Sequence, residues 1–86
     1  MEHTIGWAVT QLKVGFKVYR YGWNGKGMLL YYAPGFAPEG EFTIHSGGFK
    51  TTVFRPYVAM KTANGEVVPW VCSQSDLLAN DWEIFR

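Results

Sequence analysis

YVAMKTANGEVVPWVC, residues Tyr57 to Cys72, is the most informative stretch of this chain. Two β-prone runs, Tyr57–Thr62 and Glu66–Cys72, flank Asn64-Gly65, a dipeptide that tolerates the positive φ angles of a type I′ turn, and so predict an antiparallel hairpin. Pro69 has no N–H to give to a ladder, which predicts an edge strand or a bulge at Pro69-Trp70. Downstream, Ser73 with Asp76 three residues later has the pattern of a capping box for a short helix through Asn80. Asp81–Phe85 then reads as a last strand.

Upstream, Ile5, Ala8, Val9 and Leu12 recur at helical spacing, with Thr4 placed as N-cap and Gly15 as a stop. One amphipathic helix over residues 5–14 is expected. Trp7 and Val14 fall on the face opposite that stripe, where they mark either an interface or a Trp covered by a loop of its own chain. Lys17–Tyr21 and Met28–Ala33 read as strands joined by the glycine-rich Gly22–Gly27. The second of these strands is apolar on both faces, a pattern that points to oligomer contacts in so small a domain. Residues 34–54 mix Pro and Gly with four Phe and read as an irregular insertion, with one short strand plausible around Phe42–His45.

A chain of 86 residues accommodates one domain. A domain of this size buries only roughly 60–65% of the surface its unfolded chain exposes, so a 48% hydrophobic, 17% aromatic composition leaves apolar surface over. Self-association is the expected use of the surplus. The net charge is +1, with eight basic and seven acidic side chains scattered. Without a basic patch, duplex nucleic acid is not an expected partner. The single cysteine, Cys72, excludes an intrachain disulfide, fits a reducing compartment and is expected to pack as a small hydrophobe. No charged-then-apolar leader and no run of about 18 apolar residues is present, so neither export nor membrane insertion is expected.

Catalytic patterns are scarce. His3 and His45, even with Cys72, are too few for a tetrahedral metal site, and both read as surface histidines, His3 in a frayed terminus. Ser73 and Ser75 lie in no nucleophile elbow and are explained as caps. Gly25-Lys26-Gly27 lacks the glycine spacing and following Ser or Thr of a Walker loop, yet its backbone amides could approach an anion beside Lys26; a plain turn is the alternative. Trp23 and Trp70 sit beside backbone breakers and could stack on a nucleobase, or could simply be core. Asn24, Gln74, Asp76 and Asp81 could read base edges or ribose hydroxyls, and Arg55 and Lys61 could meet phosphate. Caps and turn formers are the competing roles of the two aspartates.

Two longer motifs make the chain resemble a known family: Gly22-Trp23-Asn24-Gly25-Lys26-Gly27-Met28, and Ser73-Gln74-Ser75-Asp76-Leu77-Leu78-Ala79-Asn80-Asp81-Trp82. With Pro56, Met60–Gly65 and Pro69-Trp70 between them, they resemble the second described family of phage Thoeris anti-defence sponges, formerly a domain of unknown function. The resemblance covers nearly the whole chain except residues 34–54.

It implies a homotetramer in the cytoplasm of the bacterial host that sequesters cyclic ADP-ribose isomers made by TIR-domain enzymes, and in some members cyclic dinucleotides. The ligand pocket is implied between protomers. The expected ligand-binding set is Trp23, Asn24, Gly25, Lys26, Gly27, Met28, Arg55, Pro69, Trp70, Ser73, Gln74 and Asp76, with no cofactor, no metal and no catalytic residue. The expected fold is α+β: an N-terminal helix packed on a twisted, mainly antiparallel sheet, with a short C-terminal helix. The alternatives are a cyclic-dinucleotide sponge, a virion or assembly protein whose tryptophans anchor an interface, and a hydrolase of the signal, disfavoured for want of a nucleophile or paired carboxylates.

Overall fold

Helix α1, Ile5–Val14, begins and ends where its capping residues dictate. The Thr4 hydroxyl accepts from the Trp7 amide, and Gly15 at φ 110° closes the other end, its N–H bonded back to Gln11 and Leu12 carbonyls. A computed structural model of the chain describes residues 2–23, 26–33 and 55–86. After α1 come β1 (Val18–Arg20), β2 (Leu29–Ala33), β3 (Tyr57–Lys61), β4 (Val67–Pro69), α2 (Gln74–Leu77) and β5 (Trp82–Ile84). The insertion expected at residues 34–54, with its strand at 42–45, lies outside the described residues, as do Asn24 and Gly25.

The strands form one antiparallel sheet in the order β4-β3-β2-β1-β5. The α+β expectation is therefore met, and Pro69 lies on an edge strand, where its missing N–H faces no ladder. The register Val18↔Leu30↔Met60 and Arg20↔Trp82 puts Val18, Arg20, Leu30, Met60 and Trp82 on one face. That face meets Ala8 and Leu12 of α1 to form the core, with Val18, Leu30 and Trp82 fully buried.

Four expectations are corrected. The β3–β4 turn is not type I′: Gly65 alone has positive φ (86°), the Gly65 amide donates to the Thr62 carbonyl at 2.9 Å, and Thr62 pairs with Glu66. That is a type I turn followed by a left-handed glycine, a bulged three-residue loop that needs positive φ at one position instead of two.

His3 is not frayed. It bridges to Asp81, stacks on Trp7 with ring centroids 3.7 Å apart, and donates from Nδ1 to the Trp82 carbonyl at 2.9 Å. Trp7 is thus covered by its own chain, whereas Val14 stays 69% exposed.

Cys72 is exposed rather than packed, because it lies past the end of β4 in the link to α2.

Central strand β2 is buried on both faces within the single chain, since Leu29, Leu30 and Ala33 are all buried. In the register Ala33 lies opposite Tyr57 and Leu29 opposite Lys61. Apolar surface left over lies elsewhere, at Tyr21, Val67, Val71 and Leu78. No helix among the described residues is long and apolar enough to cross a membrane.

Candidate functional site

Arg20 is the last residue of β1 and points to the helix-covered face, a place where an unpaired guanidinium would be costly. Two carboxylates from the C-terminal segment meet it. Its Nε donates to Asp81 Oδ1 at 2.8 Å and its Nη1 to Asp76 Oδ1 at 2.9 Å. Asp76 is brought there by α2, whose Ser73 hydroxyl caps the helix by accepting the Asp76 amide at 3.1 Å. Half of the expected capping box forms, while the Asp76 carboxylate meets Arg20 and Trp23 instead of returning to the Ser73 backbone N–H.

The cluster then holds the loop that follows β1. Asp81 Oδ2 accepts the Gly22 amide at 2.9 Å, and Asp76 Oδ1 accepts the Trp23 indole N–H at 3.1 Å. A Cβ on Gly22 would lie 2.8 Å from Asp81 Oδ2, so the close approach requires glycine. Trp23 and Trp70 each meet Trp82 edge-on, with ring centroids 5.5 Å and 5.9 Å away.

The charges tune one another. Burial alone would raise the Asp76 carboxyl, but hydrogen bonds from Arg20, Trp23 and Ser73 outweigh it and hold it below the usual carboxylate range. The bond from Arg20, helped by the Gly22 amide and opposed by burial, does the same for Asp81. Hydrogen bonds to Asp81 and then Asp76 raise Arg20 in turn. Partial burial of the sulfur and the Asp76 charge push the Cys72 thiol up.

Beside this cluster opens a cleft of about 650 Å³, lined by Tyr19, Arg20, Tyr21, Trp23, Lys26, Gly27, Met28, Ile84, Phe85 and Arg86. It is large enough for a small-molecule ligand. Tyr19 and Phe85 meet edge-on at 6.2 Å. Among the described residues none of the lining side chains is acidic, and Arg20, Lys26 and Arg86 are cationic. Arg20 is already neutralised by two aspartates, which leaves Lys26 and Arg86 as the cations without an acidic partner among the described residues.

A model of the Thoeris anti-defense 2-like domain matches residues 3–85. The chain belongs to the Thoeris anti-defense 2 family. Thoeris anti-defense 2 of Bacillus phage SP01 is 40% identical to it over 82 residues, 94% of this chain and 92% of that protein. Membership assigns the protein a phage anti-defence role against Thoeris, exerted in the host.

In this Thoeris anti-defense 2 family member the expected site residues divide into groups. Trp23, Lys26, Gly27 and Met28 line the cleft. Pro69, Trp70, Ser73, Gln74 and Asp76 do not line it; they sit at the end of β4 and on α2. Trp70 is half-buried on Trp82, Gln74 is exposed, and Asp76 is committed to Arg20 and Trp23. Arg55 is exposed just before β3, apart from the cleft lining. The sequence reading missed Tyr19, Arg20, Tyr21, Ile84, Phe85 and Arg86. Arg20-Tyr21 directly before the glycine-rich loop was a usable signal; Ile84, Phe85 and Arg86 carried none, because they reach the site only through β1–β5 pairing.

Proposed function

We propose that the protein is a stoichiometric sponge that captures a cyclic ADP-ribose isomer and releases it slowly and unaltered. The observation that carries this reading is the cleft lining: among the described residues, aromatic rings from Tyr19, Tyr21, Trp23 and Phe85 surround two cations, Lys26 and Arg86, with no acidic side chain. Adenine stacking on such a ring is worth about 1–3 kcal/mol, and Lys26 with the Gly27 amide suits the pyrophosphate.

The site is completed between protomers of a homo-oligomer, a tetramer in the family the motifs resemble. The exposed apolar residues Val67, Val71 and Leu78 support that assembly. A non-catalytic role is supported by the commitments of four polar groups among the described residues. His3 is bonded to the Trp82 carbonyl, Ser73 is a cap, and Asp76 and Asp81 are paired with Arg20.

The test is to incubate the protein with excess cyclic ADP-ribose isomer, denature it by heat and measure the released compound by mass. Full recovery, with uptake saturating at a fixed ratio to subunits and Kd of roughly nanomolar order, is expected. Linear ADP-ribose accumulating beyond one equivalent per site would make the protein an enzyme. Uptake of a cyclic dinucleotide instead would change the ligand and leave the mode of action.

A further inference from the structure

Resting on the reading of Trp23 as part of the ligand site, we infer that Arg20, Asp76 and Asp81 are positioning residues that preset Gly22 and Trp23 for the nucleotide, and that Asp76 acts on the ligand through Trp23 rather than by touching it. The argument begins with connectivity. Each of the two carboxylates bound by the Arg20 fork also holds a group of the segment that follows β1, and those groups belong to consecutive residues: the Gly22 amide on Asp81 and the Trp23 indole N–H on Asp76. The backbone entering the loop and the first large ring in it are therefore fixed by one charge cluster.

Geometry makes the hold firm. The Trp23 ring is tied at Nε1 and braced edge-on by Trp82 at 5.5 Å, two constraints that together define its orientation. The Arg20 and Asp76 side chains are only 19% and 12% exposed, so their hydrogen bonds face little competition from water. Gly22 lets the backbone close onto Asp81 where a Cβ would be 2.8 Å from the oxygen.

The same geometry removes the competing roles. With its indole N–H spent on Asp76, Trp23 offers a ligand its ring and not a hydrogen bond. Although Arg20 lines the cleft, two aspartates neutralise it, so phosphate attraction falls to Lys26 and Arg86.

Indole N–H resonances of the ¹⁵N-labelled protein, with that of Trp23 assigned through Trp23→Phe, read the positioning directly and without ligand. Asp76→Ala and Arg20→Lys are each expected to shift the Trp23 resonance toward that of a free indole and to speed its hydrogen exchange about tenfold or more, leaving the Trp82 resonance in place. Lys keeps the charge but lacks the planar fork whose Nε and Nη1 meet the two carboxylates separately, so a phosphate-binding Arg20 would tolerate the change and a positioning Arg20 would not.

Calorimetric titration with a cyclic ADP-ribose isomer reads the consequence. Each substitution should weaken binding about tenfold or more, yet cost less than about twofold in the Trp23→Phe background, because residues acting through one group are not additive. If Asp76→Ala fails to fold, Asp76→Asn keeps an acceptor for the indole and should preserve both the resonance and the affinity within about threefold.

The inference is overturned by an unmoved Trp23 resonance in Asp76→Ala or Arg20→Lys, or by additive binding losses. It is also overturned by an Asp76→Asn protein that keeps the resonance but loses binding. Should the wild-type protein bind no cyclic nucleotide, the functional reading fails, while the ligand-free spectra still decide whether the cluster positions Trp23.

Discussion

Trp82 is fully buried between Trp23 and Trp70, yet its indole N–H has no acceptor among the described residues. An unmet buried donor costs about 1–3 kcal/mol, whereas deleting a core Trp side chain to Ala costs about 3–5 kcal/mol through lost packing. Trp82→Phe removes the unmet donor together with part of the ring, so the two effects offset. Urea titration should find the Phe variant losing less than about half of what the Ala variant loses. Equal losses would show that the N–H is satisfied and that the whole ring is needed. Asp76 and Asp81 give a second expectation. Their carboxyls lie below the usual range in the folded protein, so near pH 4 and below the unfolded chain binds more protons than the native one. Their contribution is complete above the unfolded value and is lost as pH falls through the depressed folded values. Asp81→Asn, which cannot titrate, should flatten the fall of stability over that acid window, as read by urea midpoints at successive pH values. An unchanged slope would mean that other carboxylates carry the acid sensitivity.

Helix α1 carries two glycines whose backbone settings are opposite. Gly6 sits inside the helix, and a Cβ there meets only the Thr4 hydroxyl at an ordinary 3.7 Å. Gly6→Ala should therefore stabilise by about 0.5–1 kcal/mol, raising Tm by about 2–8 °C in a domain of this size. Gly15 holds φ 110° at the helix end, so Gly15→Ala strains the backbone even though open space surrounds it. A loss of about 1 kcal/mol or more is expected. Calorimetry on the pair tests the assignment of the helix end: both variants moving Tm in the same direction would contradict it. The hairpin of β3 and β4 makes a related point about turn chemistry. The Asn64-Gly65 pair predicted where the chain reverses, but loop length selected the turn type, since Thr62 pairs with Glu66 across three residues and only Gly65 must be left-handed.

Taken whole, the domain ties its early and late segments together. The His3 amide donates to the Asn80 carbonyl at 3.1 Å, the Trp82 amide to the His3 carbonyl at 3.2 Å, and Asn80 Nδ2 to Glu2 Oε1 at 2.9 Å. Outside this closed body, Tyr21, Val67, Val71 and Leu78 remain exposed, with Val71 at 85%. Sedimentation equilibrium at micromolar concentration should find an oligomer, and Val71→Asp together with Leu78→Asp should shift it toward monomer while circular dichroism stays unchanged. A wild-type protein that sediments as a folded monomer would refute both the assembly and a pocket shared between subunits.

Local patterns carried much of this molecule. The spacing of Ile5, Ala8 and Leu12 and the caps Thr4 and Gly15 were enough for α1. Pro69 was enough for an edge strand, and Ser73 for the start of α2, because each of these depends on backbone chemistry within a few residues. The family was equally legible, because its two long motifs are contiguous runs. The positions of Arg20, Asp76 and Asp81 relative to Trp23 were not. Their partners lie 53 to 61 residues apart and meet only after β5 has paired with β1. For the same reason Asp76 read as a ligand-contacting or capping residue and became an ion-pair partner, and Phe85 and Arg86 came to line a cleft no spacing rule foretold. A side chain's propensity is set by its neighbours in the chain, but its electrostatic environment is set by whatever the sheet brings within a few ångströms.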